Sequence, residues 1–198
     1  MPADGRSAIG AIVLAAGYGR RFGSDKRTYA LHDGTPMLEA TLRVYIEVFE
    51  RIVVVLRPED ENLKSSSLAL SEKIEIVTAN QAHLGMGHSL ARGIAAARSD
   101  KWEGAFIALA DMPFVKSDTL RQLSGGLARA DDTAIVQPVF EDRPGHPVGF
   151  KPGYFPRLGL LEGDEGARIV LDEAGDRVIR VAVDDPGILL DVDRPDKD

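Results

Sequence analysis

The stretch AIGAIVLAAGYGRRFGSDK (8–26) decides the fold of this chain. Its first part, AIGAIVLAA (8–16), is an apolar run that predicts a buried first β-strand. Its second part, LAAGYGRRFGSDK (14–26), places small residues at the end of that strand and cations a few positions later. Ligands of open α/β sheets bind beyond the carboxyl ends of the strands, so this loop is a candidate ligand site.

Outward from this stretch, short apolar runs alternate with amphipathic ones, a pattern typical of a mostly parallel sheet flanked by helices. Strands are predicted at 51–56, 73–79, 104–110, 133–140 and 177–185, and helices at 36–49, 62–71, 88–99, 116–130 and 164–175. The segment EDRPGHPVGF (141–150) breaks the alternation with turn residues. We therefore predict a single α/β domain over 1–198, in which residues 1–7 form a loose tail.

Composition excludes several classes of function. The 198 residues carry a net charge of −7, which opposes nonspecific binding to nucleic acid. The absence of cysteine excludes disulfides, thiolate metal sites and cysteine nucleophiles. No apolar run approaches the roughly 20 residues that span a bilayer, and MPADGRSAIG (1–10) lacks the order of a signal peptide. We expect a cytoplasmic protein with no membrane partner.

Two glycine-containing loops follow predicted strands. In the first loop, Gly17 and Gly19 let backbone amides approach a ligand, and Arg21 and Lys26 suit the oxygens of a triphosphate. The second loop, QAHLGMGHSL (81–90), precedes a predicted helix and contains His83 and His88. Taken alone, either loop is equally well explained as a tight turn with structural histidines or solvated cations, and two histidines without further ligands do not make a metal site.

Carboxylates follow two further strands. Asp111 comes directly after the strand at 104–110, while Asp191 and Asp193 share a face if LLDVDRP (189–195) is extended. Magnesium prefers one or two carboxylates together with phosphate oxygens. Taken alone, Asp111 is better explained as the cap of a turn, and Asp191 and Asp193 are better explained as part of a solvated acidic tail. The convergence of loops, cations and carboxylates at one edge of the sheet favours metal-assisted phosphoryl or nucleotidyl transfer.

The motifs resemble those of a known family. LAAGYGRRFGSDK, GMGHSL, ADMPF, RPGHPVGF, GDEGAR and DVDRP occur in the order seen in molybdenum cofactor cytidylyltransferases, which belong to the MobA-like nucleotidyltransferases. The resemblance covers about Ala8 to Asp196 and implies a Rossmann-like (GT-A-like) nucleotidyltransferase fold. It also implies a reaction in which an acceptor phosphate attacks the α-phosphate of a nucleoside triphosphate and releases pyrophosphate.

The resemblance further implies residue roles. Arg21, Lys26 and Asp111 are the implied catalytic residues, and Asp111 with Asp191 or Asp193 is implied to bind Mg²⁺. The implied nucleotide-binding residues are Leu14, Ala15, Ala16, Gly17, Gly19, Arg21, Lys26, His83, Gly85, Gly87 and Ser89. The implied acceptor-binding residues are Gly145, His146, Pro147, Asp164 and Arg168.

The expected substrates depend on sequence differences between the branches of the family. The double alanine of LAAG is similar to the cytidylyl branch, which implies CTP, a molybdopterin-type acceptor and docking to a molybdoenzyme. Alternatives are another nucleotide, a sugar or polyol phosphate acceptor, or a non-catalytic delivery protein. A nicotinamide-dependent oxidoreductase is disfavoured, because GxGxxG is absent after the first strand and Leu56 and Arg57 stand where an acidic residue is required.

Overall fold

A computed structural model describes residues 9–18 and 25–192 of the chain. The predicted N-terminal tail lies outside the described residues, as do Gly19, Arg21 and Asp193.

The described residues form an eight-stranded, mostly parallel sheet. The strands are β1 (Ile9–Leu14), β2 (Ile52–Leu56), β3 (Ile74–Thr78), β4 (Gly104–Leu109), β5 (Ile135–Phe140), β6 (Arg143–Pro144), β7 (Val148–Phe150) and β8 (Val178–Ala182). Their order is β3-β2-β1-β4-β7-β5-β6, and β8 pairs with β5. The strands β1 to β4 are parallel, as is the β5–β8 pair, whereas β7 runs antiparallel to β4 and β5. The predicted α/β fold class is confirmed.

Helices cover both faces of the sheet. They are α1 (Met37–Ile46), α2 (Glu61–Leu70), α3 (Met86–Ser99), α4 (Ser117–Arg129), α5 (Phe155–Leu158) and α6 (Arg168–Ala174). Alternate residues of β1 enter two separate cores: Ile12 packs with α3 on one face, and Val13 packs with α1 and α4 on the other. Because both faces of the central strands are buried, their sequences are continuously apolar, which is why they could be predicted.

Two segments differ from the sequence prediction. Residues 141–150 contain β6 and β7 rather than turns alone, because Val148, Gly149 and Phe150 are buried between β4 and β5. The helix predicted at 164–175 begins only at Arg168. The preceding residues form a turn with Gly163 at a φ of 56°, a conformation that favours glycine and ends helical geometry.

The order of the strands creates a switch point. From β1 the chain proceeds through β2 and β3 towards one edge, and β4 then returns to the opposite side of β1. The connections leaving β1 and β4 therefore diverge, which opens a crevice at the carboxyl ends of these two strands. The candidate site lies there.

Because β7 packs closely on β4, we expect the stability of the protein to depend on a glycine at position 149. A Cβ at Gly149 would lie 2.5 Å from the ring of Phe106, which is fully buried, so Gly149→Ala requires core rearrangement and should lower the free energy of unfolding by about 1–3 kcal/mol. Gly126→Ala in α4 is the control, since its Cβ would meet only Val136 at 3.9 Å; it should raise stability by about 0.5–1 kcal/mol. Urea denaturation measures both variants, and equal stabilities would contradict the packing assignment.

Candidate active site

The crevice beyond β1 and β4 is a cleft of about 670 Å³. It is lined by the first loop, the turn before α3 and the residues that follow β4. The sequence-predicted residues on its wall are Leu14, Ala15, Ala16, Gly17, Lys26, His83, Gly85, Ser89, Asp111 and Asp164. Most of the predicted nucleotide set is thus brought to one cleft, although Asp164 was predicted for the acceptor.

The first loop leaves room inside this cleft. A Cβ built on Gly17 would meet no described atom within 4 Å. Ala15 and Ala16 are almost fully buried, whereas the Tyr18 side chain is 42% exposed and also lines the cleft. Space beside unhindered amides is what a phosphate or ribose requires.

An ion pair spans the cleft between its two sides. Lys26 Nζ donates to Asp111 Oδ2 at 2.8 Å, and the side chains are 12% and 28% exposed. Lys26 belongs to a short 3₁₀ turn at Lys26–Thr28, while Asp111 lies two residues after the end of β4. Lys26, which the resemblance implies to bind the triphosphate, and Asp111, which it implies to bind a metal, therefore lie in direct contact.

Asp111 is also adjacent to the C-terminal segment. Val192 N donates to Asp111 O at 3.0 Å, which brings the neighbouring Asp191 to the same place. Asp111 Oδ1 is buried and has no hydrogen-bond partner among the described residues. Within residues 9–18 and 25–192, no group of three or more His, Cys, Asp or Glu residues could hold a metal. Two carboxylates with one unused buried oxygen fit a hard cation that takes its other ligands from phosphate and water.

His146 faces the same carboxylates. Burial lowers the pKa of His146 from its ordinary value, while the charges of Asp111 and Asp191 oppose that shift. Its Nδ1 is buried and finds no hydrogen-bond partner in the described part of the chain. An imidazole whose Nδ1 has no partner among the described residues therefore lies beside the candidate metal ligands.

A second cleft of about 950 Å³ adjoins the first one and shares Leu14, Met86 and Leu109 with it. Of the residues predicted for the acceptor, His146 and Arg168 line it. Gly145 and Pro147 are buried outside both linings, and a Cβ at Gly145 would lie 2.4 Å from Ile188 O. Gly145 therefore permits close packing of the chain. Gln137 and Arg180, which were not predicted, also line this cleft.

The glycines of the second loop serve the fold. Gly85 has a φ of 129°, and a Cβ there would lie 2.1 Å from Gly163. A Cβ on Gly87 would lie 2.6 Å from Glu162 O, and Gly87 N donates to Gly163 O at 2.8 Å. Gly85 still lines the first cleft, but Gly87 does not. Both glycines allow residues 162–164 to pack against the start of α3.

Sequence reasoning missed a buried charge network behind the first loop. Arg27, 5% exposed, donates to both carboxylate oxygens of Asp25 and of Asp60 and, at 2.7 Å, to Ala15 O. Arg57 also bonds Asp60 and stacks on the Tyr18 ring at 4.8 Å. Burial lowers the pKa of Arg27, but the hydrogen bonds to Asp25 and Asp60 outweigh it and raise the pKa overall. The sequence signal was the mixed charge of Asp25 and Arg27 beside Lys26.

The fold and the two contiguous clefts are compatible with nucleotidyl transfer, and comparison with known families identifies the class as nucleotidyltransferases. Residues 11–178 match the MobA-like NTP transferase domain, and the chain belongs to this family. The chain is 30% identical over 196 residues to "Purine catabolism protein PucB" of Bacillus subtilis, with 94% of this chain and 92% of that protein covered. It is also 29% identical over 133 residues to the "Probable molybdenum cofactor guanylyltransferase" of Natranaerobius thermophilus, covering 66% of this chain and 60% of that one.

A solved structure shares the fold. The Rv0371C complex with manganese from Mycobacterium tuberculosis superposes with a TM-score of 0.68 at 27% identity, and the match covers 88% of each chain.

In the described part of this chain, no helix is long and apolar enough to cross a membrane.

The role of Gly85 can be tested through stability. Gly85→Ala places a Cβ within 2.6 Å of Gly163 and Asp164 N at a backbone φ of 129°, so it should lower the free energy of unfolding by about 1–3 kcal/mol. Gly17→Ala is the matched control, because its Cβ enters open space, and it should leave stability within about 0.5 kcal/mol of the wild type. Thermal denaturation compares the two, and an unaffected Gly85→Ala variant would contradict the packing of residues 162–164.

Proposed function

We propose that this nucleotidyltransferase transfers CMP from CTP to the phosphate of a molybdopterin-type cofactor and releases pyrophosphate. The observation that carries the proposal is the meeting of two clefts beside Asp111 and His146. The first cleft contains the glycine loop and Lys26, and the second contains Arg168. A reaction that joins two phosphorylated substrates needs two such clefts with a common boundary.

The first cleft suits the nucleotide. The space beside Gly17 is open to the ribose and phosphates, and Lys26 supplies a cation for the triphosphate. The exposed side chains of Leu84 and Met86 give the cleft an apolar border suited to the face of a base. The predicted contribution of Arg21 and Gly19 remains part of this proposal.

A divalent cation, Mg²⁺, is part of the proposal. Asp111 and Asp191 are the described residues that would hold it, and Asp193 is a further candidate. When bound, such an ion supplies a positive charge that neutralises phosphate oxygens. The manganese complex of the mycobacterial relative supports a divalent ion in this family.

The chemical step needs little from the protein beyond position and charge. An oxygen of the acceptor phosphate forms a bond to the α-phosphorus of CTP, and the bond from that phosphorus to the bridging oxygen breaks. Pyrophosphate leaves with the bonding electron pair. A phosphate monoester is already anionic at neutral pH, so no general base is required. In this proposal Lys26 neutralises charge on the leaving pyrophosphate, and Arg168, which lines the second cleft, holds the acceptor.

The choice of substrates rests on finer features. The double alanine, Ala15 and Ala16, favours CTP within the family, and the guanylyltransferase relative supports a molybdenum cofactor acceptor. A docking surface for a molybdoenzyme belongs to the same proposal. The second candidate is transfer to a sugar or polyol phosphate, or from another nucleotide. A non-catalytic delivery protein is disfavoured because Lys26 and Asp111 are both present and in contact.

A panel of CTP, GTP, ATP and UTP, each with and without Mg²⁺, tests the nucleotide. A ligand at 100 times its dissociation constant stabilises the fold by about 2.7 kcal/mol, which is visible as a higher Tm. We expect the largest shift with CTP and Mg²⁺. A selective response to another triphosphate would contradict CTP but retain the reaction class, and no response to any would favour the delivery protein.

Asp111→Asn tests the catalytic assignment. The substitution keeps the shape of the side chain but removes the charge that Lys26 and the metal require, so turnover should fall by about 10²–10³-fold with the fold intact. Asp118→Asn, whose side chain is 93% exposed at the start of α4, is the control and should retain wild-type turnover. Assays of pyrophosphate release with CTP and molybdopterin measure both. A near-normal rate for Asp111→Asn would overturn the assignment.

A further inference from the structure

Lys26 lies between two residues that are held to the protein interior. Asp25 and Arg27 bond each other at 2.6 and 2.8 Å, and Arg27 reaches on to Ala15 O. Asp25 also caps the 3₁₀ turn by accepting from Arg27 N at 3.1 Å. The backbone on both sides of Lys26 is therefore fixed.

The geometry of the turn, once anchored in this way, determines where the Lys26 side chain points. Successive side chains in a 3₁₀ turn are about 120° apart, since the turn has 3.0 residues. Arg27 points into the protein, towards Asp60 and the first loop, so Lys26 is turned away from that network. Its Nζ reaches Asp111 Oδ2 across the cleft.

Arg27 is suited to this task by the shape of its head group. Every guanidinium nitrogen donates: Nε to Asp25, one terminal nitrogen to Ala15 O and Asp60, and the other to Asp25 and Asp60. A lysine retains the charge but lacks the planar fork that reaches three partners. The network ties the loop after β1 to the segment after β2, where Asp60 and Arg57 lie.

We infer that Arg27 is a positioning residue that aims Lys26 at Asp111, so that the ammonium holds the carboxylate until a divalent cation and the triphosphate separate them. Metal binding at Asp111 then competes with the ion pair, and the released Lys26 meets the phosphates. The nucleotide part of this inference rests on the proposed function, whereas the effect on the cation does not.

Manganese binding to the full chain tests the inference without nucleotide. Electron paramagnetic resonance of free Mn²⁺ gives its dissociation constant for the wild type, Arg27→Lys, Lys26→Met and the double variant. Loss of a competing, partly buried charge should tighten Mn²⁺ binding by about tenfold in Lys26→Met and by about threefold in Arg27→Lys. The double variant should match Lys26→Met, because Arg27 acts through Lys26.

Two further variants complete the experiment, one as a control and one as an alternative to Arg27→Lys. Arg51→Lys, which pairs with Asp100 at 3.4 Å before the start of β2, is the matched control and should bind Mn²⁺ as the wild type does. Asp25→Asn weakens the same anchoring at a residue whose side chain is 38% exposed, so it remains informative if Arg27→Lys fails to fold. The inference is overturned if the folded variants among Arg27→Lys and Asp25→Asn bind Mn²⁺ with wild-type affinity. It is also overturned if the effects of Arg27→Lys and Lys26→Met on Mn²⁺ affinity add up in the double variant.

Calorimetry with CTP and Mg²⁺ separates this inference from the proposed function. Arg27→Lys should weaken nucleotide binding by about fivefold in the wild-type background and cause no further loss beside Lys26→Met. If the wild type binds no CTP while the manganese pattern holds, the proposed nucleotide is wrong and the positioning role stands. If CTP binds but Arg27→Lys leaves both affinities unchanged, the positioning role is wrong and the proposed function stands.

Discussion

The parallel pairing of β1 with β4 is the constraint on which the rest of the site depends. Its register runs from Ile9 opposite Gly104 to Leu14 opposite Leu109, so the two strands end at the same level. The hydrogen bond from Ala110 N to Leu14 O continues the pairing by one step. The loop at Gly17 and the carboxylate of Asp111, which are almost a hundred residues apart in sequence, therefore emerge side by side, supported by apolar packing on both faces of the sheet.

The charged side chains at this edge of the sheet form ion pairs with opposite charges, although the chain as a whole is acidic. Lys26 faces Asp111, and Arg27 with Arg57 balances Asp25 and Asp60. Burying Arg27 or Asp60 without its partner would be strongly unfavourable, whereas the paired cluster also uses its hydrogen-bonding groups. A site that handles several phosphate charges can thus keep its cations ordered before any ligand arrives.

The sequence predicted the parts of this protein whose physics is local. The apolar strands β1, β2 and β4, the helices that cover them and the carboxylate after β4 all follow from periodicity and position. The antiparallel β7 was missed because Gly149 and Pro147 suggest turns, and its pairing depends on strands distant in sequence. Gly85 and Gly87 were assigned to a ligand, but their first neighbours are residues 162–164. The hydrogen-bond network around Arg27 was not predicted for the same reason, since its partner Asp60 is 33 residues away in sequence.

The segment after α5 borders both clefts, with Asp164 in the first and Gly166 to Arg168 in the second. It rests against the glycines that begin α3, where even one methyl group has no room. The backbone path of residues 162–164 and the glycines that begin α3 therefore constrain each other. Remodelling of residues 162–168 is compatible with the fold only where it keeps the backbone path beside Gly85, so the shared wall of the two clefts can vary only along routes that leave the start of α3 in place.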